Sequence, residues 1–169
     1  AYDLIVTDYQ GNRRRARDGY SFLPTLGEVD LHLFGEGNDR RIHDKLGAQL
    51  RLIDGVAGTS FAVWAPNAQR VSVVGEFNAW DGRYHPMRLL GASGVWELFV
   101  PGVGEGALYK FEIKTIHGGL SLKTDPFGFF FEPAPKTASI VWNNRKFAWN
   151  DAAWLEQLAC LPTPERRVR

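Results

Sequence analysis

The chain has 169 residues, with 20 Lys and Arg against 19 Asp and Glu, and its formal net charge is +1. A chain so close to neutral gives no electrostatic reason to expect nucleic acid or an anionic membrane as its partner. It holds 44% hydrophobic residues, enough to bury a core, and a single cysteine, which excludes an internal disulfide and a cysteine-rich zinc site.

The first fifty residues begin with a predicted hairpin. The stretch "DLIVTDYQGNRRRARD" has strand-forming residues on both sides of Gly11-Asn12, a dipeptide that favours a tight turn. The leucine- and phenylalanine-rich stretch "YSFLPTLGEVDLHLFGEG" comes next and shows no regular period. It is therefore predicted to be irregular.

Residues 38–48 are the one predicted helix of this region. Asn38 is a suitable N-cap, Gly47 a suitable end, and Ile42 and Leu46 lie four residues apart on one face. Residues 1–50 are too few and too irregular for a core of their own. They are predicted to be the end of an upstream β domain, or an extension packed on the domain that begins near residue 51.

Short apolar stretches about ten residues apart occur from residue 51 onward. They are "TSFAVWAP", "RVSVVGEF", "GVWELFVPG", "ALYKFEIKT", "LSLKTDP" and "ASIVW". The turns between them are rich in Gly, Pro and Asn, which is typical of an all-β domain. The pattern predicts an immunoglobulin-like β-sandwich over residues 51–147, then a short helix in "WNDAAWLEQLA" and a tail within residues 148–169.

Catalytic and metal-binding patterns are missing from the sequence. The four histidines do not lie at metal-ligand spacing, and neither a Gly-x-Ser-x-Gly sequence nor a phosphate-binding loop occurs. Glu76 and Asp81 read most simply as solvated carboxylates. We therefore predict no catalytic residue, no metal and no cofactor in this chain.

The tryptophans are more informative. Trp64, Trp96 and Trp142 lie inside strand patterns and are predicted to pack in the core, while Trp154 is predicted to hold the last helix down. Trp80 differs, because its neighbours in "EFNAWDG" are turn residues. A flat, partly exposed indole is a suitable platform for the C–H face of a sugar ring, with polar groups meeting the hydroxyls.

Lys110 lies in "ALYKFEIKT", where apolar and charged residues alternate. A period of two places the aromatic side chains inward and Lys110 on the outer face of a sheet. Its ammonium could donate to sugar hydroxyls there, although an ordinary solvated lysine has the same pattern.

Three stretches of the sequence resemble a known protein family. "FAVWAPNAQRVSVVGEFNAWDGRYHPM", "SGVWELFVPG" and "GALYKFEI" resemble the family-48 carbohydrate-binding module, an immunoglobulin-like sandwich of α-glucan enzymes. "YSFLPTLGEVDLHLFGEG", "KLGA", "DGVAGTSFAVWAPNA" and "KTASIVW" are similar to the N-terminal region of bacterial 1,4-α-glucan branching enzymes. The similar segments extend from Tyr20 to about Leu158.

The resemblance implies a set of sugar-contacting residues. Trp80 and Lys110 match the family's sugar-contacting Trp and Lys, and Asn78 lies in the same turn. Leu122 stands where strong glycogen binders carry a second stacking Trp, and Ser139 where they carry an Asn. This chain therefore lacks one stacking aromatic ring and one polar contact that strong glycogen binders of the family have.

The resemblance also implies the function of the chain. It would be the non-catalytic N-terminal part of a cytoplasmic branching enzyme, which moves an α-1,4-glucan chain to a 6-hydroxyl. Its partners would be α-glucan, such as glycogen or maltooligosaccharides, and the enzyme's own catalytic barrel. The alternative is a structural or protein-interaction sandwich that does not bind glucan, which the replacements at Leu122 and Ser139 favour.

Overall fold

The computed structural model describes residues 2–147 and 150–159. Within them the helices are α1 (Glu28–Gly35) and α2 (Ala152–Ala159). The strands are β1 (Leu4–Thr7), β2 (Arg13–Ala16), β3 (Gly47–Ile53), β4 (Val56–Trp64), β5 (Ala68–Gly75), β6 (Arg88–Leu89), β7 (Val95–Pro101), β8 (Leu108–Thr115), β9 (Leu120–Lys123), β10 (Phe130–Phe131) and β11 (Ser139–Ile140).

Two antiparallel sheets form the body of the molecule. One has four strands in the order β3-β4-β7-β6, and the other has the order β10-β11-β8-β5, with β9 also paired to β8. The buried side chains of both sheets meet in one core. This arrangement confirms the predicted all-β, immunoglobulin-like β-sandwich.

Alternation along the strands builds this core. Phe61 and Val63 of the four-stranded sheet meet Val73, Tyr109 and Phe111 of the five-stranded sheet, and all five are buried. Because successive side chains of a strand point to opposite faces, the residues between them lie on the outer faces. Each of the six predicted strand stretches contains or overlaps a strand of the structure.

The sandwich begins earlier than residue 51. β3 starts at Gly47 and pairs with β4 along its whole length, from Gly47 opposite Ala62 to Ile53 opposite Val56. The sequence did not reveal this strand, because Gly47 reads as a helix end. Gly47 has a positive φ of 81° and lies where the chain enters the strand.

The helix predicted over residues 38–48 is wrong. Only one turn of 3-10 helix forms there, at Ile42–Asp44, and the real helix of this region is α1. The reason is local: the Asn38 N–H donates to the Leu33 carbonyl and so belongs to the end of α1 rather than to the start of a new helix. Ile42 and Leu46 nevertheless pack inward.

The segment before β3 lies on the outer face of the four-stranded sheet. The Phe22 ring meets that of Phe99 edge-on at 4.7 Å. The Thr25 hydroxyl lies 2.9 Å from the Ser60 hydroxyl and donates to the Glu97 carboxylate at 3.2 Å. Burial raises the pKa of the Glu97 carboxyl, which is fully enclosed beneath this segment.

The predictions for the two ends of the described chain are confirmed in part. β1 and β2 form the predicted hairpin, and Gly11 in its turn has a φ of 86°. α2 lies in the predicted C-terminal stretch, but Trp154 is 59% exposed and does not hold the helix down as predicted. The predicted tail after residue 159 lies outside the described residues.

Within the described part, no helix is long and apolar enough to cross a membrane.

A buried polar network ties β8 to the segment between β9 and β10. The Tyr109 hydroxyl donates to the Asp125 carboxylate at 2.5 Å, and the Phe127 N–H donates to the same carboxylate at 2.8 Å. Asp125 in turn donates its backbone N–H to the Ser139 hydroxyl at 3.0 Å. Burial raises the pKa of the Asp125 carboxyl.

Tyr109→Phe should destabilise the fold, because it removes one hydrogen bond from a buried carboxylate. We expect the free energy of unfolding to fall by about 1–3 kcal/mol. Urea denaturation measures this loss. Tyr9→Phe is the matched control, since Tyr9 is 100% exposed on the hairpin. Equal midpoints for Tyr109→Phe and the wild type would contradict a stabilising role for the network.

Candidate functional site

The side chain of Asn78 closes the turn after β5, here named the Trp80 turn (residues 75–84). Its Oδ1 accepts the Gly75 N–H at 2.9 Å, and its Nδ2 donates to the Val73 carbonyl at 3.0 Å and to the His85 ring at 2.9 Å. Asn78 is only 7% exposed. The predicted direct contact of Asn78 with a sugar is therefore corrected: its amide is used within the protein and holds the turn.

Two consecutive residues of this turn have a left-handed backbone. Ala79 has a φ of 54° and Trp80 a φ of 60°, a region that disfavours side chains with a Cβ by about 1–2 kcal/mol per residue. The Trp80 N–H donates to the Gly75 carbonyl at 2.9 Å, which completes the reversal. Such strain persists only where surrounding contacts enforce it, and it is commonest at functional sites.

The indole of Trp80 stays accessible. The residue is 37% exposed, whereas Phe77, three positions earlier, packs against the core and stacks on Phe61 with ring centroids 6.0 Å apart. The two aromatics that flank the turn therefore have different roles. Phe77 anchors the turn, and Trp80 offers an aromatic plane to solvent.

The turn rests on the outer face of the five-stranded sheet. A Cβ at Gly82 would clash with the carboxylate of Glu112 on β8, so a larger residue there would displace the Glu112 side chain. Glu112 is held by an ion pair with Arg70, at 2.6 Å. The outer face of β8 therefore continues into the Trp80 turn.

Lys110 lies on that same outer face. It is opposite Val74 on β5, two residues before Glu112, while Tyr109 and Phe111 point into the core. Its ammonium donates to the Thr137 hydroxyl at 2.7 Å. An ammonium has three N–H donors, so this bond orients the group without exhausting its capacity for ligand hydroxyls.

The other two residues implied by the resemblance lie on different sides of the sheet. Leu122 on β9 is opposite Glu112 and 54% exposed, so it shares the outer face with Lys110. Ser139 is opposite Tyr109, fully buried, and accepts the Asp125 N–H. The Ser139 hydroxyl therefore takes part in the buried network, and this position offers no polar group on the outer face.

Two carboxylates at the Trp80 turn, Asp81 and Glu112, are each paired with an arginine. Asp81 accepts from the Arg83 guanidinium, and these hydrogen bonds lower the pKa of the Asp81 carboxyl to about 2. Burial lowers the pKa of His85, whose ring meets Phe77 edge-on. The outer face thus combines an aromatic plane with hydrogen-bonding groups, which suits a polyhydroxylated ligand.

Two other tryptophans are less suited to bind a ligand. Trp64 was predicted to be buried but is 54% exposed at the end of β4, where its indole N–H donates to the Ser93 carbonyl at 3.2 Å. Trp142 lines a cleft of about 420 Å³, but its ring is contacted by Phe130 and by the Lys146 ammonium, 3.5 Å from the ring centre.

Among the described residues, no cluster of three or more side chains could hold a metal ion.

Comparisons with known proteins support the sequence resemblance. Residues 45–128 match the family model of carbohydrate-binding module 48, described as the isoamylase N-terminal domain. The chain is 58% identical over 158 residues to the 1,4-alpha-glucan branching enzyme GlgB of Myxococcus xanthus, and the match covers 92% of this chain and 22% of that enzyme. It is 54% identical over 156 residues to GlgB of Paramagnetospirillum magneticum, covering 92% of this chain and 21% of that enzyme.

The chain thus spans about a fifth of the length of the curated relatives it matches. Among solved structures, ligand-free PulA from Klebsiella pneumoniae aligns with a TM-score of 0.51 at 24% identity, over 82% of this chain and 12% of that chain. At this identity the likeness shows the fold alone. It agrees with the β-sandwich architecture of this chain.

His85 makes the stability of the Trp80 turn dependent on pH. The folded state holds the neutral imidazole, which accepts from Asn78, and burial lowers the pKa of His85 below its ordinary value of 6.5. As the pH falls through that value, the unfolded chain takes up a proton that the folded chain does not. The free energy of unfolding should therefore decrease.

Denaturant titrations at about pH 8 and about pH 5.5 measure this effect, with His85→Gln as the comparison. Glu97 and Asp125, whose pKa values burial raises, are present in both proteins, so their contributions cancel in the difference. We expect the variant to lose less stability than the wild type on acidification. An equal loss in both proteins would contradict the assignment.

Proposed function

Residues 45–128 belong to the carbohydrate-binding module 48 family, and from this premise we propose that the chain is the non-catalytic N-terminal part of a 1,4-alpha-glucan branching enzyme. The parent enzyme would transfer an α-1,4-glucan chain to a 6-hydroxyl and so create an α-1,6 branch. We place the protein in glycogen biosynthesis in the cytoplasm.

The proposed role of this part is to bind α-glucan on the outer face of the five-stranded sheet. One observation carries the proposal. Buried hydrogen bonds hold the backbone at Trp80 in a left-handed conformation, and the residue is exposed to solvent there. An aromatic residue whose backbone is fixed in this way has only its side-chain torsions to lose when a ligand binds. Glycogen and maltooligosaccharides offer C–H faces for such a plane.

Lys110 would supply the polar part of recognition. Its ammonium is oriented by Thr137, whose carbonyl also accepts from the Thr124 hydroxyl at 2.7 Å. A glucan hydroxyl could then accept from a remaining N–H. The face needs no net charge for this purpose, because glucan is neutral, and this agrees with the near-neutral composition of the chain.

A second candidate role is to orient the catalytic barrel of the parent enzyme without binding sugar. Two observations favour it: Leu122 offers no aromatic plane, and Ser139 is fully buried. Under this alternative the outer face would contact protein. The two roles are compatible in one molecule, and a glycogen-binding assay separates them.

Trp80→Ala should abolish binding to glycogen, because it removes the aromatic plane. Native gel electrophoresis in a glycogen-containing gel measures this as loss of retardation. Trp64→Ala is the matched control, since Trp64 is also partly exposed but lies on the other sheet. Lys110→Ala should weaken retardation.

The outcomes separate the two roles. Retardation that disappears in Trp80→Ala and persists in Trp64→Ala supports glucan binding at the Trp80 turn. A folded wild type that migrates equally with and without glycogen would contradict glucan binding and leave the barrel-orienting role.

The chain alone should have no branching activity. Retaining transfer of a glucan chain needs a carboxylate nucleophile and an acid/base carboxylic acid, and in the parent enzyme we assign both to the catalytic barrel. Incubation of the pure protein with amylose, followed by detection of α-1,6 linkages by NMR, tests this. Any branching by the pure chain would contradict the proposal.

A further inference from the structure

Tyr84 is a second exposed aromatic residue at the end of the Trp80 turn. It is 66% exposed, more than Trp80 itself. Neither the hydrophobic core nor the contacts that close the turn require an aromatic ring at this position. Its ring lies four residues from Trp80 on the same turn and is accessible to a ligand.

The chain directly after Tyr84 runs beside β5, the strand that pairs with the Lys110 strand. Ser72 forms an antiparallel bridge with Pro86, flanked by hydrogen bonds from the Val73 N–H to the His85 carbonyl and from the Met87 N–H to the Val71 carbonyl. Tyr84 lies two residues before this bridge, in the turn itself.

Val74 lies on β5, between the bridge and the turn. It comes two residues after Ser72 and pairs with Lys110 on β8. Val74 is fully buried, although its neighbour Val73 is the one that belongs to the central core. The outer face at Val74 is therefore covered.

Local contacts fix the backbone at Tyr84. Its N–H donates to the Asp81 carbonyl at 3.3 Å. The Asp81 carboxylate accepts the Arg83 N–H and the Arg83 guanidinium, each at 2.9 Å. The neighbouring Gly82 rests on Glu112. An aromatic side chain on so constrained a turn has only its side-chain torsions to lose on binding, which reduces the entropic cost of association.

We propose that Tyr84 is a second aromatic platform for the α-glucan chain that Trp80 and Lys110 bind. The proposal rests on the proposed function, and it deepens it by adding a residue to the same site. The turn that carries Tyr84 follows β5, which pairs with β8 on one side, whereas Leu122 lies on β9, which also pairs with β8. An aromatic plane that is missing on one side of Lys110 is thus supplied on the other, and a bound chain extends over both Trp80 and Tyr84.

Isothermal titration calorimetry with maltoheptaose and with maltose tests this proposal. Tyr84→Ala should weaken maltoheptaose binding by roughly two- to tenfold, the loss expected for one aromatic contact. Maltose, which is too short to cover both platforms, should lose less. Tyr84→Phe keeps the ring and should bind as the wild type does. Tyr9→Ala, which removes a fully exposed tyrosine from the hairpin, is the matched control.

The result also separates this proposal from the function on which it rests. Weaker maltoheptaose binding in Tyr84→Ala, with Tyr84→Phe and Tyr9→Ala unchanged, supports the second platform. Undiminished binding in Tyr84→Ala, together with loss of binding in Trp80→Ala, would overturn the second platform and leave the proposed function intact. A folded wild type that binds neither sugar would overturn both.

Discussion

The buried amide of Asn78 determines the geometry of the candidate site. Its oxygen accepts from Gly75 and its nitrogen donates to Val73 and His85, so one side chain ties the end of β5 to the chain that leaves the turn. These bonds enforce the left-handed backbone at Ala79 and Trp80. An aromatic side chain is thereby held in solvent at a fixed position. Without the amide, nothing in the local sequence would favour this strained conformation over an ordinary turn.

The same strand that completes the core also provides the polar side of the site. Tyr109 and Phe111 of β8 are fully buried, and Lys110 between them lies on the outer face. The position of the lysine is therefore a consequence of strand alternation rather than of a flexible loop. Asp81 and Glu112 at the turn are each paired with an arginine, so under the proposed function the face would recognise shape and hydroxyl groups. Aromatic planes with oriented donors form the kind of surface that a neutral glucan chain can use.

Much of the fold could be predicted from the sequence, and the failures have local causes. Alternating apolar residues and Gly-rich turns predicted the sandwich strands, but β3 was missed because Gly47 also reads as a helix end. The helix predicted after Asn38 is wrong, because the N–H of that residue is already used to end α1. Trp80 and Lys110 lie where the sequence placed them, whereas Asn78 and Ser139 are buried. Burial of small polar side chains depends on partners distant in sequence, which no local pattern reveals.

The central claim is that the outer face of the five-stranded sheet binds α-glucan at Trp80. The most direct test is a titration of the ¹⁵N-labelled chain with maltoheptaose, monitored by the indole N–H resonances in NMR spectra. If this face binds α-glucan, the Trp80 resonance should shift in a saturable manner, while the resonance of Trp64, which lies on the other sheet, should stay in place. A Trp80 resonance that does not move at saturating sugar, or a shift confined to Trp64, would contradict this claim.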